Sequence, residues 1–258
     1  MRTASLLIAL ALAAPAAFAA DTGLDDTAIA TAAQLRDRAL AGSEAFAFVE
    51  GLTTEVGPRL AGTEADARAV EWTKRRFEAM GFDKVYLEPV TFPVWLRHRE
   101  RAEILAPFPQ PLVVTALGGS VGTGGPLEAE VVEFATLADL VAADPATVAG
   151  KIAFVDYQMK AARDGSDYRN GGAIRSKGPS AAIRKGAIAF LMRSAGTDNH
   201  RVAHTGITRF DEGLTPVPSA SLTIPDADQL ARLLQRGPVR VSLALDCGWD
   251  GEYTSHNV

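Results

Sequence analysis

The feature that most constrains this chain is a change of hydrophobic period in its first hundred residues. Up to Met80 the apolar side chains recur at helical spacing, whereas Val85, Leu87, Val90, Phe92 and Val94 lie in an extended pattern. A helical stretch therefore precedes a sheet. It reads as three segments. Residues 29–40 form the first, ended by Gly42, and Ser43 is the N-cap of a second that carries Phe46, Val49 and Leu52 until Gly57-Pro58 breaks it. Thr63-Glu64-Ala65-Asp66 is a capping-box-like start for the third, which runs to Met80 with Gly81 as its stop.

Pro89 and Pro93 suit an edge strand or one leading out of a domain, and a boundary is expected near Trp95. Short strands follow at 102–105, 112–117, 127–134, 152–156, 187–192, 217–222 and 239–245, with helices at 137–143, 179–185 and 226–235. Residues 150–192 form the local parallel unit, and the block reads as a β-rich α/β domain. With 258 residues, 47% of them hydrophobic, the chain can bury a sizeable core. Cys247 is the sole cysteine and excludes an intrachain disulfide, so close burial of side chains must hold the fold.

Residues 1–19 carry Arg2, an apolar run from 6 to 14 and Ala17-Phe18-Ala19, the pattern of a cleaved secretory leader. The run is shorter than the roughly 20 residues that span a bilayer. A secreted or periplasmic protein with no membrane partner is expected. A net charge of −5 argues against a nucleic-acid partner, which needs a clustered basic face.

Each candidate site has a plainer alternative. Gly118-Gly119-Ser120-Val121-Gly122 matches the G-x-S-x-G pattern of serine hydrolases, but the helix that should follow the nucleophile is replaced by Thr123-Gly124-Gly125-Pro126 and a strand. A glycine-rich strand-to-strand loop is the preferred reading. His200 and His204 have the spacing of two imidazoles on one helical face, yet Arg201 stands where H-E-x-x-H needs Glu, and the flanks are turn-prone. A surface loop is favoured over zinc. Asp164, Asp167, Arg169 and Arg175 lie in a polar, glycine-rich stretch at 163–178, long for a loop, which is either functional or a mobile excursion. Cys247 has no activating histidine beside it and reads as a small buried hydrophobe.

Several of these segments share an order that resembles a known family. Gly57-Pro58-Arg59-Leu60-Ala61-Gly62-Thr63 before an alanine-rich helix is similar to the opening of the di-zinc exopeptidases of the bacterial aminopeptidase and carboxypeptidase Q family. Gly150-Lys151-Ile152, the 181–187 run, Leu191-Met192-Arg193-Ser194, His204-Thr205-Gly206, the 217–222 run and Ser255-His256-Asn257-Val258 resemble its inserted protease-associated domain and the return from it. The resemblance implies a β-rich protease-associated domain at 96–245, inserted into an incomplete α/β peptidase domain at 20–95 that is re-entered at 246–258.

The implied activity is hydrolysis of short peptides or dipeptides, with two zinc ions in the complete enzyme. The resemblance leaves room for a homodimer of that enzyme. In the family the metal ligands begin with a His-x-Asp motif, and none of His98, His200, His204 and His256 begins one. No residue of the chain is therefore assigned a catalytic or metal role, and the chain alone is expected to bind no zinc and to be inactive. His204, Arg169 and Arg175 are the candidates for lining the substrate cleft. The alternative function is a non-catalytic module that binds peptide or protein.

Overall fold

A computed structural model describes residues 23–258; the leader expected at 1–19 lies outside them. The chain divides at Gly57 and Pro58 into two compact units. In the first, helix α1 (Asp26–Ala41) is capped by Asp25, whose carboxylate accepts the Ala28 N–H. Helix α2 (Ala45–Gly51) continues into a π-helical turn at Leu52–Val56, ended by Gly57 at φ 77°.

The second unit opens with Gly62 at φ 88°, so close to Val94 that a Cβ would meet its side chain at 2.7 Å. Only glycine satisfies both the turn and the contact. Helix α3 (Glu64–Ala79) follows, with Thr63 Oγ1 accepting the Asp66 N–H at 3.3 Å as the sequence predicts.

Strand β1 (Glu88–Ala106) runs without a break through the boundary expected at Trp95, joining two segments read separately. It pairs antiparallel along its length with β8 (Arg240–Asn257), from Glu88 opposite Asn257 to Ala106 opposite Arg240. Pro89 and Pro93 sit where β1 has β8 as its one ladder partner, and every second N–H there points away from the ladder.

The remaining strands are β2 (Gln110–Leu112), β3 (Val114–Ala116), β4 (Leu127–Phe134), β5 (Ile152–Val155), β6 (Ala189–Arg193) and β7 (Ser219–Leu222). Their order is β2-β1-β8-β4-β5-β6-β7-β3, with β4 to β7 mutually parallel and the other pairings antiparallel. The run expected as one strand at 112–117 is split at Val113 and supplies both ends of that order. Two residues of backbone reach only about 7 Å, so the sheet curls until its edges meet.

Alternation along the strands sorts two cores. Ile152 and Phe154 of β5, and Ala189 and Leu191 of β6, join Leu230 and Leu233 of helix α7 (Ile224–Leu234) on one face. Ala153, Val155, Phe190 and Met192 face the other way, toward helices α4 (Leu137–Ala142) and α6 (Tyr168–Arg184). A short helix α5 (Pro145–Val148) adds Val148 to that layer. β5 and β6 are thus buried on both faces, as parallel strands are, and 152–193 forms the expected strand–helix–strand unit.

Helix α6 departs from the sequence reading. Most of 163–178, expected as a loop, is helical and continuous with the segment predicted at 179–185, although it holds Gly171, Gly172, Gly178 and Pro179. Tertiary contact overrides propensity. A Cβ on Gly178 would collide with the Phe190 ring, and one on Gly171 would meet Ala195 Cβ and Met159 Sδ at 2.9 Å.

Candidate functional site

The parallel strands end side by side at Phe134, Val155, Arg193 and Leu222. Just past them the chain concentrates its polar side chains. Arg193, buried at 4% side-chain exposure, donates from Nε to Asp156 Oδ1 and from Nη2 to Asp228 Oδ1, both at 2.7 Å. Burial opposes this charge, but the two carboxylates outweigh it and hold the guanidinium pKa above its ordinary value. Glu133 at the end of β4 is pushed up, first by burial and then by Asp156. This group fixes the ends of β5 and β6 against α7.

Beside it lies a second cluster. Tyr168 opens α6, and its hydroxyl sits 2.8 Å from His204 Nε2 and accepts from Arg175 Nη1 at 3.1 Å. The imidazole meets the phenol edge-on, with ring centroids 5.6 Å apart, and the guanidinium lies 5.9 Å from the phenol centroid. Ser194 Oγ, just beyond β6, accepts the His204 N–H at 2.8 Å and donates to Leu222 O. Burial, then Arg175, lowers the His204 pKa, and Asp198 partly offsets them. A cavity of about 170 Å³ adjoins the imidazole, lined by Ser194, Asp198, His200 and Ile224 among others.

The segment bearing His204 is bonded to the chain just past β3. The Gly118 N–H donates to Gly206 O at 2.9 Å and the Thr208 N–H to Gly118 O at 2.8 Å. Arg97 reaches Thr205 Oγ1 at 3.4 Å. The loop ahead of α6 is held by the Asp167 carboxylate, which accepts from the Tyr157 hydroxyl, the Asn170 amide and the Lys160 N–H at 2.7–2.8 Å. These donors, the Lys160 N–H first, lower its pKa.

Of the residues singled out in the sequence, His204 and Arg175 come together. Arg169 is exposed one residue beyond Tyr168 and takes no part in their hydrogen bonds. Asp164 takes the Ser166 N–H in a turn. His200 and His204 lie on irregular chain rather than a helix, and His200 faces Asp198 at 3.1 Å. Ser120 is 1% exposed; its hydroxyl donates to Val121 O and accepts the Ser219 N–H, so it staples strands. Cys247 is pushed up to about 11 by burial first, which keeps it a thiol. Tyr168, the hub of the cluster, carries no signal in its sequence neighbourhood.

Among the described residues no group of three or more His, Cys, Asp and Glu is placed to hold a metal ion. The side chains present do not fit a zinc pair, so no chemical step is assigned to zinc on them. Nor is any helix among them long and apolar enough to cross a membrane. What the cluster offers is a fixed set of polar groups for binding.

No protein-family model matches the chain. Bovine (Bos taurus) carboxypeptidase Q is 32% identical over 187 residues, covering 72% of this chain and 38% of its own length. The crystal structure of a peptidase M28 precursor from Shewanella amazonensis superposes with a TM-score of 0.81 at 48% identity, over 88% of this chain and 52% of that one. A zinc aminopeptidase from Bacillus subtilis, 16% identical with a TM-score of 0.55 over 82% of this chain and 45% of its own, shares the fold. The chain thus spans 38% of the curated relative and 52% of the solved one. It is a homologue of carboxypeptidase Q and of the M28 peptidases, matching the exopeptidase family that its sequence resembles.

Proposed function

We propose that this chain is the N-terminal portion of a secreted, zinc-dependent exopeptidase that hydrolyses short peptides. Residues 96–245 form its inserted protease-associated domain, and residues 20–95 and 246–258 belong to the peptidase domain. The observation that carries this reading is the 48% identity to the M28 precursor over 88% of the chain, together with the matched carboxypeptidase Q.

In this reading the zinc ligands and the general base are supplied by sequence outside the described residues. The His204 face, with Arg175 at its centre and Arg169 at its rim, lines one wall of the substrate cleft. The leader at 1–19 directs the product out of the cytoplasm.

The test is hydrolysis. Protein expressed with the reading frame that follows Val258 cleaves dipeptides and loses that activity to a chelator, whereas the chain as given does not cleave them. Chelator-sensitive cleavage by the 258-residue product overturns the division of labour. An inactive longer product that binds peptide instead marks a binding module.

A further inference from the structure

We propose that Arg175, Tyr168 and His204 form a subsite for a free carboxylate, the acidic end of a short peptide. The proposal rests on the peptidase reading and names the chemical group that the His204 face recognises.

Arg175 is a half-buried cation without a carboxylate partner among the described residues. Other arginines differ: Arg193 has Asp156 and Asp228, Arg97 has Glu100, Arg184 has Asp211 and Arg201 has Asp226. Two acids of the same region are engaged elsewhere. Asp167 is filled by Tyr157, Asn170 and the Lys160 N–H, and Asp198 faces His200. A partly desolvated guanidinium held without a counter-charge is a receptor for an incoming anion.

Its geometry is already fixed. Gly206 passes so close that a Cβ there would lie 2.7 Å from Arg175 Nε, a nitrogen that is buried without a hydrogen-bond partner. Tyr168 takes Nη1. The plane is therefore clamped between backbone and phenol, and the fork matches the two oxygens of a carboxylate. Ordering a free arginine would weaken binding, and this side chain is ordered beforehand.

Tyr168 and His204 extend the donor set. The guanidinium can only donate, so the phenol oxygen accepts from it, and the hydroxyl proton can turn to His204 Nε2 or to a ligand oxygen. Val202, which lines the same cavity as His204 and is 67% exposed, gives an apolar side chain of the peptide somewhere to rest. Together these features favour a peptide acid over a bare anion.

The experiment titrates the purified chain, without zinc, with N-acetyl-alanyl-alanine, with its C-terminal amide and with acetate. The His204 ring resonances and calorimetry serve as readouts. The acid binds about tenfold more tightly than the amide, since a charge-assisted pair is lost in the amide. R175Q removes the difference and Y168F reduces it, with folding checked by circular dichroism. Should R175Q fail to fold, Y168F, altered at a 40% exposed ring, carries the comparison.

Equal binding of acid and amide, no binding of either, or a folded R175Q that keeps the preference overturns the subsite. Acetate binding as tightly as the peptide acid overturns its assignment to peptides. Hydrolysis by the longer product is a separate readout, so failure of the peptidase reading and failure of the subsite are distinguishable.

Discussion

Arg97 and Glu100 grip the two backbone groups of one residue: Arg97 Nε donates to Ala116 O at 2.9 Å and Glu100 Oε1 accepts the Ala116 N–H at 2.6 Å. Their charged groups stand 3.6 Å apart. Where β1 meets β3 these side chains do the work of a missing ladder rung, and Ala116, 0% exposed, has no water to replace them. E100A leaves a buried N–H without an acceptor and lowers stability by about 1–3 kcal/mol. Thermal unfolding then begins several degrees earlier, whereas E100Q, which keeps an amide oxygen to accept the Ala116 N–H, avoids most of that loss.

The same carboxylate predicts a pH trend. Burial raises the Glu100 pKa, more than the Ala116 N–H and Arg97 lower it. The folded chain thus holds the proton to higher pH than the unfolded chain. Between the ordinary and the raised value the native state binds more protons, so this group's contribution to stability falls as pH rises through that window. Denaturation midpoints of the native protein and E100Q, compared from pH 4 upward, converge or cross in that direction.

Two glycines of α6 respond oppositely to alanine. G178A drives a methyl into Phe190 and costs about 1–3 kcal/mol, the usual penalty of overfilling a core. At Gly172 the nearest atom to a Cβ is Arg175 Nη2 at 3.9 Å, so G172A keeps the gain in helix propensity and adds about 0.5–1 kcal/mol. Urea midpoints of the pair give the two signs directly.

Arg193 is the member whose loss hurts most in its network. R193A strands the Asp156 carboxylate, 7% exposed, and costs about 3–5 kcal/mol. D228N, at a side chain 39% exposed, removes the outer contact and costs less. Reversal of that order in equilibrium unfolding contradicts the burial assigned to the pair.

His204 titrates below its ordinary value near 6.5, held down by burial and then by Arg175. Its folded pKa is depressed, so the unfolded chain binds the extra proton first and stability drops as pH falls through that window. Ring resonances in R175Q move the midpoint up, and in D198N further down.

Much of this architecture was legible in the sequence because alternation and capping are local. Thr63 capped its helix, and residues 152–155 and 189–192 sent their side chains to two faces. The extent of α6 was not legible, since glycines and a proline disfavour a helix, and the reasons for Gly178 and Gly171, close contact with Phe190 and with Ala195 and Met159, come only from the folded chain. Val113 looks like the middle of one strand; only the closed sheet makes it a corner. His204 and Arg175 stood out by polarity, but Tyr168, 36 positions from His204, joins them only through tertiary folding.

Glu88 and Asn257 face each other across the long ribbon. Paired residues in antiparallel strands lie about 5 Å apart, so more than 160 residues of chain enter and leave through a doorway one strand-spacing wide. On the proposed reading of this block as an insert, its carrier meets it as it would meet an ordinary hairpin, with two adjacent strands as the whole attachment.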